Sequence, residues 1–541
     1  MRAQLKPWLA VSVLAVLATG CQPKEIAYSL SIVTTGCAGS NPFQGVQFIR
    51  VRVTGDGIDP PIEVLTPAST KSASLPEIPA GANRVIEVRA YNADPASGGQ
   101  VVSLGRTLPF VVPDVVPDVM AEAELQKRVF LRQVNTWAAP VSATDASSCQ
   151  TMKVARAAHT ATLLPNGKIF IAGGFNYPAG NPNRVALMAA ELFDPSTGTF
   201  SPAEDLSFRT RDQVVNKIAK AFHTATLLKN GQVLIWGGER YQLLSGVNVV
   251  APGTEVLVYE PERNQYGATQ RTNPQPIPRT QHQAVIDKDG RVLIVGGLRF
   301  NTTGSGPRLV PVNEIEWFDS ASPTPQVVDG LTVKRVDASA AAVKGGEFIA
   351  VAGGTDGTAL RDDVVFFTWN GTAFAQVPQM APPRLAAPGR RSAAAVTFRD
   401  GSDMLMLGGY TDVANVRPVA SSEIVQAGVA TVARGADIGN RGELCAVTLK
   451  DGSVLTIGGR TADVNGMMVR SDNTAILVRP DGRGGTMALG APSLSLGRYL
   501  HTCTLMADGS VFVTGGLNET MANPNGDVLG DAWIYTPAPT D

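Results

Sequence analysis

No stretch of these 541 residues repeats its apolar positions at helical spacing, which excludes helical bundles and wound α/β folds. Charge of one sign is lacking as well. Against 47 acidic residues stand 46 basic ones, so no general field draws nucleic acid. Aromatic residues make up only 6%, yet the 44% hydrophobic fraction suits a packed globule rather than a disordered chain. There is no HExxH, no P-loop and no GxSxG between a strand and a helix, which removes the commonest hydrolase and nucleotidase signatures. Histidine occurs four times and cysteine five, with no CxxC spacing for zinc or redox work. What is abundant is glycine, 55 residues, and proline, 37, so turns are frequent.

The amino-terminal stretch is a targeting segment. Arg2 and Lys6 flank "WLAVSVLAVLA", too short for a membrane span, and "ATGC" follows, ending at Cys21. Residues 1–21 resemble a bacterial lipoprotein signal, with Ala18 in place of the commoner Leu. That resemblance implies cleavage before Cys21, lipidation of Cys21, and contact with a membrane through the lipid only. Gln22 is not the Asp that retains many such proteins at the inner membrane, so the expected location is the outer membrane of the bacterial cell envelope. An exported chain meets an oxidising compartment. Cys37 and Cys149 are then candidates for a disulfide, while Cys445 and Cys503 either pair or stand as two small buried thiols.

Seven double glycines punctuate the rest of the chain: Gly173-Gly174, Gly237-Gly238, Gly296-Gly297, Gly353-Gly354, Gly408-Gly409, Gly458-Gly459 and Gly515-Gly516. Each closes an apolar run such as "KIFIAGG" or "QVLIWGG". Each run follows a tight turn such as "PNGK" or "KDGR", whose Asn-Gly and Asp-Gly pairs supply positive φ. A third strand follows in most units, often led by an acid: Glu191, Glu255, Glu314, Asp363, Glu423 and Asp531. Four short strands repeated seven times predict a seven-bladed β-propeller.

The pattern resembles the kelch repeat over residues 129–541. The repeat basic residue is read at Arg156, Lys220, Arg279, Arg391, Arg441 and Arg498, with Arg335 one place out of step. The last unit runs out at its third strand, and "VFLRQVNTWA" precedes the first. Residues 129–138 are therefore expected to supply the closing strand of the last blade. Residues 22–128 lack the repeat and read as a small immunoglobulin-like or prealbumin-like β-sandwich, most simply a spacer. The fold expected is all-β throughout.

His159, His223, His282 and His501 all occupy one repeat position, fifteen residues before a second glycine. Recurrence once per blade argues for a hydrogen bond inside each blade rather than a metal site. Galactose-oxidase-like enzymes, which the ring also resembles, place a Tyr-His pair on copper after the repeat Arg. Here Leu500 separates Tyr499 from His501, and no cofactor is expected. The longer segments after each Gly-Gly emerge round the channel mouth, and loops on a rigid scaffold commonly carry function. They offer Tyr177, Arg240, Tyr241, Arg299, Phe300, Tyr410, Arg460 and Asn518 as candidate ligand contacts. The sequence thus reads as a lipid-anchored binding or scaffold protein that recognises a protein or glycan at that mouth, without chemistry of its own. The alternative is a carbohydrate-active propeller enzyme: a copper oxidase, or a sugar isomerase or hydrolase.

Overall fold

The computed structural model describes residues 28–539 apart from 35, 71–74, 115–124, 179–182, 210–213, 245–246, 268–274, 302–307, 329–333, 379–381, 387, 430 and 463–468. The expected leader and Cys21 lie outside the described residues. The first region is a single mixed sheet of seven strands: β1 (Ser29–Thr34), β2 (Phe48–Gly55), β3 (Ile58–Pro67), β4 (Gly81–Tyr91), β5 (Val101–Arg106), β6 (Phe110–Val112) and β7 (Gln126–Gln133). Its order is β1-β7-β5-β4-β2-β3, with β6 also paired to β4, and β1 runs parallel to β7. The sandwich expected from the sequence thus takes the form of one continuously bonded sheet. Its core packs Val51, Ile86, Val88, Val129 and Leu131 together.

Among the described residues, seven four-stranded antiparallel sheets then follow one another. Their inner strands are Thr160–Leu163, Thr224–Leu227, Gln283–Ile286, Ser339–Val343, Ala394–Phe398, Cys445–Thr448 and Thr502–Leu505, which number blades 1 to 7. Each inner strand lies beside those of its two neighbours, and the seventh lies beside the first, so the ring closes round a central channel.

The second strand of each blade is largely apolar on both faces, because a neighbouring blade covers each of them. In blade 1, Ile169 and Ile171 turn to Phe512 and Ile534 of blade 7. Phe170 and Ala172 turn the other way, to Val233 and Ile235 of blade 2. Rings stack across these seams, Phe193 on Phe512 at 4.3 Å and Phe170 on Tyr259 at 4.0 Å between centroids.

The closing strand is β8 (Thr136–Ala138), which pairs Thr136, Trp137 and Ala138 with Thr536, Tyr535 and Ile534. It is shorter than the sequence suggested. Asn135 takes a positive φ of 54° and ends β7, so Val129 to Gln133 belong to the first sheet. The boundary drawn at 128/129 therefore falls inside β7. Trp137 packs on Tyr535 in the seam between blades 6 and 7. Two disulfides are present. Cys37–Cys149 ties the segment after β1 to the approach to blade 1, and Cys445–Cys503 joins the inner strands of blades 6 and 7.

One joint recurs in every blade. The repeat cation donates to the carbonyl of its own first glycine, as from Arg156 Nη1 to Gly173 at 2.8 Å and from Lys220 Nζ to Gly237 at 2.7 Å. The second glycine donates its N–H to the backbone carbonyl of the next blade's cation, Gly174 to Lys220 and Gly516 to Arg156 among them. In blade 5 the joint uses Arg390, not Arg391 as the spacing suggested, because one extra residue separates cation and glycines in blades 4 and 5 alike. Acids of the third strand neutralise most of these buried cations: Glu191, Asp363, Glu423 and Asp531 pair with Arg156, Arg335, Arg390 and Arg498. In blade 3 the partner is Glu316, at 2.7 Å from Arg279, while Glu314 pairs with Arg299. Arg441 of blade 6 instead donates to the carbonyls of Thr474 and Ile438 and to Thr456 Oγ1.

Arg279 and Glu316 are both fully buried, so removing one strands the other. Glu316→Ala is expected to lower stability by about 3–5 kcal/mol. Asp531→Ala is expected to cost less, because that carboxylate is 29% exposed. Urea denaturation of the two variants side by side checks the ordering.

Candidate functional site

The chain enters every inner strand through one residue in the left-handed region: Ala158, Phe222, Gln281, Asp337, Ser392, Glu443 and Leu500, with φ between 51° and 56°. Such a conformation costs an L-residue about 1–2 kcal/mol, and glycine would relieve it. A side chain stands there in all seven blades, and all seven line a cavity of about 610 Å³ at one mouth of the channel. Backbone bonds run from one of these residues to the next, Ala158 N–H to Leu500, Phe222 to Ala158, Ser392 to Asp337 and Glu443 to Ser392, at 2.9–3.1 Å. The rim is therefore a stiff belt.

The polar wall of the cavity is richest at blades 5 to 7. Tyr410 Oη donates to Glu443 Oε2 at 3.1 Å, and Arg460 Nη1 reaches the same oxygen at 3.4 Å. Arg460 Nε donates to Glu519 Oε2 at 3.0 Å, and Tyr499 Oη donates to Glu519 Oε1 at 2.5 Å. The guanidinium also lies 4.8 Å from the Tyr499 ring centre. Burial raises the proton affinity of Glu443; Arg460 opposes the rise and Asp337 adds to it. Burial likewise drives the Tyr410 and Tyr499 hydroxyls up, so both remain donors. Beside this wall Arg391 of blade 5 pairs with Asp337 of blade 4, and at blade 1 Arg184 donates to Tyr177 Oη at 3.2 Å while covering the Phe175 ring. Three guanidiniums thus face three carboxylates, and Phe222 and Leu500 add apolar surface.

Of the residues expected from the sequence, Arg460 lines the cavity, and Tyr410 stands behind it holding Glu443. Tyr177 and Tyr241 join the Phe175–Phe222 cluster at the rim, where Tyr241 donates to Glu239. Arg240 and Arg299 turn outward to Glu255 and Glu314, and Phe300 and Asn518 sit in ribbon strands away from the cavity. Several segments read as loops are in fact two-stranded ribbons, such as Glu239–Leu244 with Val247–Pro252. Sequence reasoning missed Asp337, Glu443, Glu519 and Arg184. The column just before the histidines would have found the first two, since its residues change type from blade to blade.

The histidines hold the ring together. Nε2 of His223 and of His282 lies 2.9 Å from Thr160 and Thr224 Oγ1 of the preceding blade, and His159 reaches Thr502 and Thr514 of blade 7. The expected bond within each blade is thus a bond between blades. The cause is a slot. Each ring lies over the first glycine of the preceding blade, where a Cβ at Gly173 or Gly237 would stand 2.8 or 2.7 Å from a ring carbon. His501 lacks the threonine, since that position in blade 6 is Cys445, tied to Cys503. Burial, with the neighbouring repeat cation, holds His223 and His501 down to about 3, and His159 and His282 well below the usual range.

These residues do not form the tyrosine–histidine set of a copper oxidase. Tyr499 is committed to Glu519, Leu500 takes the mouth-facing place before His501, and His159, His223 and His282 engage threonines. Among the described residues, no group of three or more His, Cys, Asp or Glu is arranged to hold a metal ion.

Neutral burial of the histidines carries a pH signature. Unfolded histidine binds a proton near 6.5, folded His223 only near 3, so the unfolded state gains protons first as pH falls. Stability is therefore expected to drop as pH goes from 7 to 5, by up to about 1.4 kcal/mol per pH unit for each such histidine. His223→Gln should remove one histidine's share of that slope, read from urea midpoints across the range.

No protein-family model matches the chain, and no curated protein matches it in sequence. Solved structures do match in shape. A fungal alcohol oxidase of the AA5 family, described in complex with copper, superposes with a TM-score of 0.52 at 17% identity, over 75% of this chain and 76% of that one. YjhT superposes with a TM-score of 0.43 at 13% identity, over 63% of this chain and 99% of that one. At such identity the likeness to the alcohol oxidase speaks to the fold alone, that of a seven-bladed propeller.

Proposed function

We propose that this protein is an extracytoplasmic receptor that binds a saccharide in the cavity at the channel mouth, held at the cell envelope by a lipid on Cys21. The observation that carries this reading is the composition of the cavity wall. Carboxylates and guanidiniums balance three against three, and buried tyrosines hold them in place. Paired acids and fixed planar donors suit the vicinal hydroxyls of a sugar, and a half-buried ring at the cavity wall such as Phe222 suits its C–H face. A balanced wall favours a neutral or zwitterionic ligand over a polyanion. The two disulfides fit an oxidising compartment. No helix among the described residues is long and apolar enough to cross a membrane, and the lipid would supply the attachment.

Glu443 favours one second reading. A buried carboxyl with raised proton affinity, facing a cavity beside an arginine, is the kind of group that serves as an acid–base catalyst. That reading makes the protein a carbohydrate-active enzyme acting at the same place.

A glycan array followed by calorimetry on the full chain tests both. Binding of a neutral saccharide is expected, weakened about 10–100-fold by Glu443→Ala or Arg460→Met, the range for losing one or two charge-assisted hydrogen bonds. Saccharide binding indifferent to both variants, or no binding at all, removes the receptor reading. Turnover of the bound sugar, followed by NMR and lost in Glu443→Gln, replaces it with the enzyme.

A further inference from the structure

A second cavity, of about 210 Å³, lies in the seam between the first sheet and the propeller, remote from the channel mouth. Arg106, Lys127, Arg128 and Arg132 line it, against a single carboxylate, Asp508. Arg106 is already neutralised, with its Nε 2.5 Å from Glu87 and its Nη1 on the Asp508 carbonyl. Asp508 Oδ1 is turned back into its own turn, accepting from Ser510 N–H and Oγ.

Arg132 is the unusual member. It is only 9% exposed, projects from β7 into this cavity, and also borders a smaller gap beside it. Among the described residues it has no ion pair and no hydrogen-bond partner for its guanidinium, which lies 5.3 Å from the centre of the Phe130 ring. Every repeat cation of the propeller, by contrast, is buried with acceptors of its own. Burying a guanidinium without an acceptor is costly unless something brings one. Burial lowers its proton affinity and only Asp508 opposes that.

We infer that this seam is an oxyanion site in which Arg132, flanked by Lys127 and Arg128, takes a phosphate group. A guanidinium offers two parallel N–H donors to a tetrahedral oxyanion, and Phe110, Phe130 and Met506 form the apolar part of the wall round it. The phosphate has two available sources, a free anion and the headgroup of a phospholipid. The second gains weight from position. Lys127 lies over the Tyr28 ring, so the seam opens where the described chain begins, seven residues from Cys21, or at most ~25 Å of extended chain.

The test is calorimetry on the full chain in neutral detergent. Three probes serve: inorganic phosphate, a water-soluble short-chain phosphatidylglycerol and its phosphatidylcholine counterpart. Phosphate is expected to bind. Arg132→Gln should weaken it at least about tenfold, and Asp508→Asn, which removes the competing charge, should strengthen it. The second variant keeps the test decisive should the first misfold. Phosphatidylglycerol binding tighter than both phosphate and phosphatidylcholine, and displaced by excess phosphate, assigns the site to a headgroup; phosphate alone binding assigns it to the free anion. If no probe binds the wild-type chain, or if neither variant changes the affinity, the site is overturned.

Discussion

Each second glycine gives its N–H to the carbonyl of the next blade's repeat cation, and that cation's side chain reaches back to the first glycine of its own blade. One cationic residue therefore satisfies two blades, through its backbone in one direction and its side chain in the other. The glycines are required by space as much as by angle. At Gly237 a Cβ would come within 2.4 Å of the Arg279 carbonyl oxygen. A guanidinium with several acceptors can lie in an apolar seam at tolerable cost, whereas an unpaired one cannot. Everything else in the ring is arranged round this joint. The apolar second strands fill the space outside it, and the histidines occupy the slot the glycine leaves.

The mouth inherits its stiffness from the same arrangement. Two residues past each cation the chain turns left-handed, and from there it presents one side chain to the channel. Seven copies of that turn, five of the seven neighbouring pairs linked by a backbone bond, make a rim whose backbone repeats while its chemistry differs from blade to blade. Blades 1 to 3 and 7 place apolar or amide groups there, and blades 4 to 6 place Asp337, Ser392 and Glu443. The polar site is thus concentrated on one side of a nearly symmetric scaffold.

Much of the fold was legible because its determinants are local. Gly-Gly pairs, Asn-Gly and Asp-Gly turns and apolar runs each state what their own backbone must do, and the repeat multiplied them. The short reach of β8 was hidden because only Val134 and Asn135, the second a residue tolerant of positive φ, separate it from β7. Arg390 was mistaken for Arg391 because one inserted residue shifts the spacing without altering the chemistry. The site was harder to read. Its members are assembled from several blades, and a position one residue before a histidine carries no mark of facing a cavity. Arg460 stood out only because it follows a double glycine; Glu519 follows one too, three residues later, and was passed over. The seam at Arg132 needed two domains in contact before it existed.

The Cys37–Cys149 bond has a mechanical consequence. It closes a loop of 112 residues that contains β2 to β8, and β8 is the strand that latches the ring. Within the propeller, blades are joined to one another by continuous chain, so the three-residue pairing of β8 with Ile534–Thr536, with Trp137 packed on Tyr535, is where the circle is closed without it. A pull from the amino-terminal side enters at Cys37, crosses the sulfur bridge and leaves at Cys149 toward blade 1. The latch lies inside the bypassed loop and carries none of that load. A pull on the chain ahead of Cys37 therefore leaves the ring buckled.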